Sequence, residues 1–166
     1  MNPYVVIDIG GTSIKYGLAD ANGQLLETHE MPTEAQKGGP HILNTTKEIV
    51  ARYLKKHPLA GVAISSAGMV DPDKGEIFYA GPQIPNYAGT QFKKEIEETF
   101  QIPCEIENDV NCAGLAEVTT GHAKGSNNAV CLTIGTGIGG CLLLDGQVFH
   151  GFSNSACEVG YLHLPD

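Results

Sequence analysis

Two glycine-rich turns, each between short β-rich runs, constrain the fold of this chain more than any other feature. The first has the sequence DIGGT at residues 8–12, and the second has the sequence GTGIGG at residues 135–140. Each is followed by a strand-like run and then by a hairpin signal, Asn22-Gly23 in one case and Asp145-Gly146 in the other. The sequence therefore predicts two antiparallel meanders, and a duplicated unit of this kind among helices and strands indicates an α/β fold.

The segment between the two turns predicts alternating helices and strands. The first meander is expected at residues 4–9, 14–19 and 24–31, followed by a helix across 42–54. Strands are then expected at 61–65 and 76–79, with a polar loop at 71–75 between them, followed by a helix capped by Thr90. The rest of the chain predicts a strand at 104–107, a helix from 108 or 109, a buried strand at 129–134, and strands at 141–144 and 147–149. The helix after Thr90 has Phe92, Ile96 and Phe100 on one face.

The composition excludes several classes of function. The 19 acidic and 10 basic residues give a formal net charge of −9, and no run of Lys and Arg could neutralise a nucleic-acid backbone. Nucleic acid is therefore not an expected partner. A phosphorylated small molecule is compatible with this charge, because backbone amides and a bound cation hold phosphate without basic side chains. Hydrophobic residues make up 42% of the chain, which excludes disorder as its main state.

The five cysteines, at positions 104, 112, 131, 141 and 157, form no CxxC pair. An odd number without that spacing fits neither a disulfide framework nor a zinc knuckle, so we expect free thiols in a reducing compartment. The N-terminal MNPYVVIDIGG has no basic region, and Asp8 interrupts its apolar stretch, so neither a signal peptide nor a membrane span is expected. These features predict a cytoplasmic protein with no membrane partner.

The second glycine-rich turn also satisfies the GxGxxG pattern of dinucleotide-binding folds. Gly135, Gly137 and Gly140 have that spacing, and Glu158 lies 21 residues after Gly137, where an acid would hold a ribose. A dinucleotide fold needs a helix directly after the glycines, whereas here the sequence continues as CLLLDG into a hairpin signal. We therefore favour two strand-turn-strand phosphate loops. The first is preceded by Asp8, which predicts a nucleoside triphosphate with a cation near that carboxylate.

Four segments, in chain order, resemble the motifs of the ROK family of sugar kinases. They are DIGGT with Lys15, ENDVN at residues 107–111, IGTGIGG at residues 134–140 and EVG at residues 158–160. The resemblance implies the actin-like ATPase (ribonuclease H-like) fold, with a complete first lobe at residues 1–121 and the start of a second lobe at residues 122–166. Because the kinases of the family continue well beyond this length, it also implies that the chain is the N-terminal portion of a kinase.

The resemblance implies a role for each residue of a sugar and nucleotide site. Asp109 resembles the catalytic base that accepts the proton of a sugar hydroxyl, a task that contributes about 10² to 10⁴ in rate. The expected sugar-binding residues are Gly68, Asn86, Asn108, Glu158 and Tyr161. The expected contacts to ATP and its phosphates are Asp8, Gly10, Gly11, Thr12, Lys15, Gly135, Thr136 and Gly137, and Asp8 is also expected to hold Mg²⁺ through water.

Some of these residues also have ordinary structural explanations. Asp109 can cap the helix that follows it, Asn86 can be a turn residue, and Gly68 can serve backbone geometry alone. Tyr161 stands where many members of the family have a His that serves both the sugar site and a structural zinc. Zinc is therefore not expected here, although His163 lies two residues further along the chain.

The function implied by the resemblance is ATP-dependent phosphorylation of a hexose or hexoside hydroxyl, and we favour the 6-hydroxyl of glucose or of a β-glucoside. The alternatives are an N-acetylmannosamine or fructose kinase, and a sugar-binding fragment or sensor without turnover. Repressors of the family have an N-terminal helix-turn-helix, which does not fit before Tyr4. The expected partners are a small-molecule sugar and ATP, and the usual form of the family implies a homodimer.

Overall fold

The computed structural model describes residues 2–135 and 137–161, and for Tyr161 it describes the backbone alone. It divides into two compact units, Met1–Asn108 and Asp109–Asp166. Thr136, the side chain of Tyr161 and His163, all named above, lie outside what the structure describes. None of the helices in the described part of the chain combines the length and the apolar character needed to cross a bilayer.

The first unit contains seven strands and two α-helices among its described residues. In chain order they are β1 (Tyr4–Ile9), β2 (Ser13–Ala19), β3 (Leu25–Pro32), α1 (Gly39–Leu54), β4 (Gly61–Ser66), β5 (Met69–Asp71), β6 (Glu76–Tyr79), α2 (Phe92–Phe100) and β7 (Cys104–Asn108), with a 3₁₀ turn at Ala35–Lys37. Five of the strands form one sheet in the order β3-β2-β1-β4-β7, and β5 and β6 form a separate hairpin.

The five-stranded sheet combines the predicted meander with two parallel strands. β1, β2 and β3 pair antiparallel, as the glycine turn and the Asn22-Gly23 signal predict, whereas β4 pairs parallel with β1 and β7 pairs parallel with β4. Parallel neighbours need crossover segments, and α1 and α2 lie within those segments. The predicted α/β class is therefore confirmed in this unit.

The core of the first unit lies where the sheet packs against the two helices. Alternate residues of β1, namely Val5, Ile7 and Ile9, are buried, as expected of a strand with one face on the core. The remaining core includes Ile14, Ile42, Ile49, Val50, Val62, Ile64, Phe92, Ile96 and Ile106. The predicted amphipathic helices α1 and α2 are thus both confirmed, each with its apolar residues on the buried face.

Two details of the first unit differ from the sequence-based expectation. Helix α2 begins at Phe92 with Gln91 as its N-cap, so the prediction that Thr90 caps it is wrong. The hydroxyl of Thr90 is buried and donates to the carbonyl of Tyr87 at 2.6 Å, and is therefore used inside the preceding loop. In addition, the strand β5 was not predicted, and it pairs with β6 beside the expected polar loop.

The second unit contains one α-helix and one small sheet among its described residues. The elements are α3 (Asp109–Thr119), β8 (Ala129–Ile134), β9 (Ile138–Leu144) and β10 (Gln147–Val148), followed by a 3₁₀ turn at Val159–Tyr161. The three strands pair antiparallel in the order β10-β9-β8, which confirms the second predicted meander. Asp145 and Gly146 both have positive φ, 52° and 76°, as a two-residue hairpin turn requires.

Strand β8 is where the second unit departs from prediction. The sequence predicts a buried strand, yet Val130, Leu132 and Ile134 are 62%, 55% and 84% exposed. Helix α3 packs against β8 and β9 and covers the alternate residues. One face of the sheet is therefore covered among the described residues, and the other is open. Because α3 packs against this sheet, the boundary between the two compact units lies between residues 108 and 109. The lobe boundary between residues 121 and 122 stays a prediction.

Candidate functional site

The first glycine turn is held from inside the protein by Thr33. The N–H of Gly10 donates to the carbonyl of Ser13 at 3.0 Å and closes the turn. Thr33, which is buried, donates its N–H to the carbonyl of Thr12 at 3.0 Å and its hydroxyl to the carbonyl of Gly10 at 2.7 Å. With these carbonyls bound, the peptide planes of the turn are fixed.

The outer side of the same turn is open. Among the residues the structure describes, the N–H groups of Gly11 and Thr12 make no hydrogen bond. A Cβ built on Gly11 would meet no described atom within 4 Å, and the φ of Gly11 is not in the left-handed region. Neither internal crowding nor backbone strain therefore explains a glycine at this position. An open turn with two unused amides suits the close approach of an anion such as phosphate.

A row of polar side chains crosses the sheet next to this turn. Asp8 lies opposite Lys15 on β2 and opposite Ser65 on β4, and Ser65 lies opposite Glu107 on β7. Residues that are opposite one another in a sheet share a face, with strands about 4.8 Å apart. The hydroxyl of Ser65 donates to Oδ1 of Asp8 at 2.8 Å. The structure therefore brings together the predicted phosphate residues Asp8, Gly10, Gly11, Thr12 and Lys15 at one end of the first sheet.

The residues of this row fit a Mg²⁺ ion that keeps several waters better than one whose ligands all come from the protein. Mg²⁺ keeps several of its waters and binds through one or two carboxylates together with substrate phosphates. Asp8 supplies one carboxylate, with one oxygen bonded by Ser65. In the part of the chain that the structure describes, no cluster of three or more His, Cys, Asp or Glu side chains could hold a metal ion. These residues would suit an ion that takes its other ligands from water and from a phosphorylated ligand.

Two predicted sugar residues of the first unit contact each other. The Nδ2 of Asn108 donates to the carbonyl of Gly68 at 2.8 Å, which joins the end of β7 to the loop after β4. Gly68 has φ of +93°, and a Cβ there would meet the carbonyl of Tyr79 at 3.0 Å. The backbone itself therefore requires glycine at this position, independently of any ligand.

Asn86 lies in a loop that is anchored on both sides. Gly39 donates its N–H to the carbonyl of Pro85 at 2.9 Å, and the hydroxyls of Tyr87 and Ser66 lie 2.6 Å apart in the core. Asn86 itself is exposed, has φ of +52°, and lines a surface hollow of about 280 Å³ beside α1 and α2. Its conformation is typical of a turn residue, and its side chain is free of the core, so both interpretations of Asn86 stay open.

The second unit brings Asp109 and Glu158 together. Asp109 is the first residue of α3; it is exposed, and its Oδ1 accepts the N–H of Val110 at 2.9 Å. Glu158 is partly buried, and burial, followed by the negative charge of Asp109, raises the pKa of its carboxyl above the ordinary value. The carboxylates of Asp109 and Glu158 therefore interact electrostatically within the second unit.

The second glycine turn contains glycines of two kinds. The N–H of Gly135 donates to the carbonyl of Gly137 at 2.9 Å, and a Cβ on either residue would meet no described atom within 4 Å. By contrast, a Cβ on Gly139 would collide with the side chain of Val110, and one on Gly140 with the carbonyl of Cys157. Packing therefore explains the last two glycines, whereas Gly135 and Gly137 face open space as Gly11 does.

Four residues that position this site were not predicted from the sequence, namely Thr33, Ser65, Ser66 and Tyr87. Each acts through a partner more than twenty residues away, so local patterns do not show it. Ser65 lies beside Asp8 because β1 and β4 pair in parallel, and the sequence alone does not show that pairing. The contributions of all the predicted site residues to binding remain predictions, and Thr136 and the side chain of Tyr161 also lie outside what the structure describes.

Comparisons with known proteins show which family of proteins the chain resembles. The ROK family model matches residues 4–166. An uncharacterized protein of Clostridium perfringens, CPE0188, is 54% identical over 162 residues, which cover 98% of this chain and 55% of that protein. The β-glucoside kinase of Klebsiella pneumoniae is 37% identical over 156 residues, which cover 93% of this chain and 50% of that kinase.

A solved structure gives the same result at the level of the fold. The ROK family glucokinase from Streptomyces griseus, in complex with glucose and AMPPNP, matches with a TM-score of 0.85 and 29% sequence identity. The match covers 98% of this chain and 51% of that one. This chain spans about half the length of the curated relatives it matches.

Proposed function

The chain belongs to the ROK family, and we propose that it supplies the sugar site and the phosphate turns of an ATP-dependent hexose kinase. Its fold is the actin-like ATPase fold that the sequence motifs predict. The observation that supports this proposal most directly is the open turn at Gly11 and Thr12 beside Asp8, a phosphate site without a basic cluster on a chain of net charge −9.

In the proposed reaction a sugar hydroxyl attacks the γ-phosphorus of ATP. A new oxygen–phosphorus bond forms, the bridging bond to ADP breaks, and the hydroxyl proton passes to the carboxylate of Asp109. The loose transition state of phosphoryl transfer places more weight on orientation than on basicity, so an exposed carboxylate fixed to the first turn of a helix suits this role. Bound Mg²⁺ would neutralise the charge that develops on the phosphates.

The other residues take binding roles in this proposal. Glu158, Asn108, Gly68, Asn86 and Tyr161 hold the sugar hydroxyls. The carboxylate of Glu158 can accept hydrogen bonds from adjacent sugar hydroxyls. A site with several such groups rejects sugars that leave them unpaired, by about 10⁴ or more.

The substrate we favour is glucose or a β-glucoside, phosphorylated on its 6-hydroxyl. The relatives named above support this choice, because one is a β-glucoside kinase and another is a glucokinase with bound glucose. N-acetylmannosamine and fructose are the alternatives. A homodimer and a cytoplasmic location remain predictions from the sequence.

The test is a coupled assay of ADP formation with Mg²⁺-ATP and glucose, cellobiose, N-acetylmannosamine or fructose. We expect sugar-dependent turnover that Asp109→Asn lowers by about 10² to 10⁴. Asp145→Asn is the matched control, because Asp145 is an exposed aspartate of the same unit whose φ of 52° an asparagine adopts readily. Equal rates for Asp109→Asn and the wild-type chain would contradict the assignment of the base.

The same assay distinguishes sugar binding without turnover, the alternative that the sequence leaves open. In that case no sugar supports ADP formation, yet one of the four raises the melting temperature. If no sugar does either, the assigned sugar site is wrong.

A further inference from the structure

We propose that two consecutive serines at the end of β4 position two different subsites: Ser65 orients Asp8 for the cation and phosphates, and Ser66, through Tyr87, holds the loop of Asn86 for the sugar. This inference rests on the function proposed above. It concerns residues that the motifs of the sequence do not include.

The two side chains lie on opposite faces of the sheet because they are neighbours on a strand. Ser65 is partly exposed and shares its face with Asp8 and Glu107, whereas Ser66 is buried among the core residues. A separation of one residue therefore gives the two hydroxyls entirely different surroundings.

Ser65 acts on the orientation of a carboxylate. Its hydroxyl donates to Oδ1 of Asp8 at 2.8 Å, which fixes the rotation of the carboxyl group and leaves Oδ2 for a water of the cation. Hydrogen bonds from surrounding residues to a ligating carboxylate change metal affinity by about 10-fold to 100-fold. Ser65 is therefore a positioning residue for Asp8.

Ser66 acts on the loop that contains Asn86. Its hydroxyl donates to the carbonyl of Ala67 at 3.0 Å and shares a second hydrogen bond, of 2.6 Å, with the hydroxyl of Tyr87. Tyr87 follows Asn86 directly, and its ring packs edge-on against Phe92. The residue before Asn86 is also bonded, through the carbonyl of Pro85 to the N–H of Gly39 at 2.9 Å. Ser66 and Gly39 thus hold both neighbours of Asn86.

The test measures two ligands on the same set of variants of the full chain. Mn²⁺ with tripolyphosphate probes the phosphate subsite by the electron paramagnetic resonance of the free ion. Glucose, cellobiose, N-acetylmannosamine and fructose probe the sugar subsite by calorimetry, and the sugar that the wild-type chain binds most tightly is used for the variants. Neither readout requires turnover.

We expect a crossed pattern. Ser65→Ala raises the Kd for Mn²⁺-tripolyphosphate about 10-fold and leaves the sugar Kd within about twofold. Ser65→Thr, which keeps the hydroxyl, restores the affinity for Mn²⁺. Ser66→Ala and Tyr87→Phe raise the sugar Kd about fivefold and leave Mn²⁺ binding unchanged. Ser126→Ala, at an exposed loop serine, changes neither.

Three results would overturn the inference. The first is Mn²⁺ affinity that is unaffected by Ser65→Ala, and the second is a parallel loss of both ligands in every variant, which would indicate a general structural role. Tyr87→Phe removes only one oxygen, so it tests the sugar subsite even if Ser66→Ala unfolds the chain. The third result that would overturn the inference is a wild-type chain that binds neither probe. This outcome rejects the proposed function itself and is therefore distinct from the other two.

Discussion

The two glycine-turn hairpins have the same local design and very different surroundings. Ile9 and Ile134 each directly precede the first glycine of a turn, yet Ile9 is 0% exposed and Ile134 is 84% exposed. The first hairpin belongs to a five-stranded sheet whose core face is covered by helices, whereas the second belongs to a three-stranded sheet covered by α3 on one face. The comparison shows that an apolar strand pattern makes a strand suitable for burial, and that the strand is buried only where other elements pack against it.

The largest expected effect is a difference in stability between two equivalent truncations. Ile9→Ala should lower the free energy of unfolding by about 2 to 5 kcal/mol, because it leaves a cavity in a packed core. Ile134→Ala should change it by about 0.5 kcal/mol or less, because the side chain already faces solvent. Urea unfolding of both variants measures the difference. Equal losses would break the comparison and indicate that self-association covers Ile134, which a dependence on protein concentration would show.

The next effect separates glycines needed by packing from glycines that face open space. Gly140→Ala should destabilise the second unit by about 1 to 3 kcal/mol, since its Cβ would fall against the carbonyl of Cys157 and 2.9 Å from its Sγ. Gly137→Ala should leave the melting temperature unchanged and weaken Mn²⁺-tripolyphosphate binding about 10-fold, because the methyl group occupies the space proposed for phosphate. Thermal unfolding and the binding titration distinguish the two. A stable Gly137→Ala variant with normal affinity would remove this turn from the phosphate site.

The smallest effect is a pH dependence of opposite sign in the two units. The pKa of Glu158 is raised, so its ionisation opposes folding, and Glu158→Gln should raise the melting temperature at pH 8. That gain should vanish as the pH falls below the ordinary pKa of about 4.5. The pKa of Glu95 is lowered by its bond to Lys47 at 2.9 Å, so Glu95→Gln should lower the melting temperature at pH 8 and lose this effect in acid.

Melting curves of both variants from pH 4 to pH 8 test these signs. The change at Glu95 is expected to be small, because its ion pair is partly exposed to solvent. If Glu158→Gln destabilised the chain at pH 8, the charge of Glu158 would have to be stabilised by a partner, and its proposed position beside Asp109 would need revision.

Most elements of the fold could be predicted because their signals are local. Alternating apolar residues, glycine turns and the Asp145-Gly146 pair determine β1, β2 and the second meander within a few residues. The cap of α2 was predicted wrongly because a threonine before a helix has several acceptors within reach, and the hydroxyl of Thr90 bonds to the loop carbonyl of Tyr87. The open face of β8 could not be predicted, since a run of apolar residues contains no information about which neighbours are present.

The candidate site divides in the same way. Asp8, Gly11 and Asp109 could be predicted because they lie in motifs that follow one another along the chain as in the family. The geometry around Gly11 supports a phosphate site there. The residues that orient them, Thr33 and Ser65, depend on which strands pair and in which register. Such pairings join residues 23 and 57 positions apart, and a single sequence does not reveal them.

The registry of β4 has a consequence for insertions and deletions in this chain. A shift of one residue along β1 would place Ile64 or Ser66 beside Asp8 and would turn every side chain of the strand to the other face. The start of the strand opposes such a shift, because Gly61 fits closely between the carbonyl of Pro103, 3.0 Å from its ideal Cβ, and the ring of Tyr4 at 3.5 Å. A one-residue insertion between Gly61 and Ile64 would therefore place Ile64 beside Asp8 and Ser65 in the buried position of Ser66. Both subsites would be disabled at once, although every residue proposed to contact a ligand would still be present.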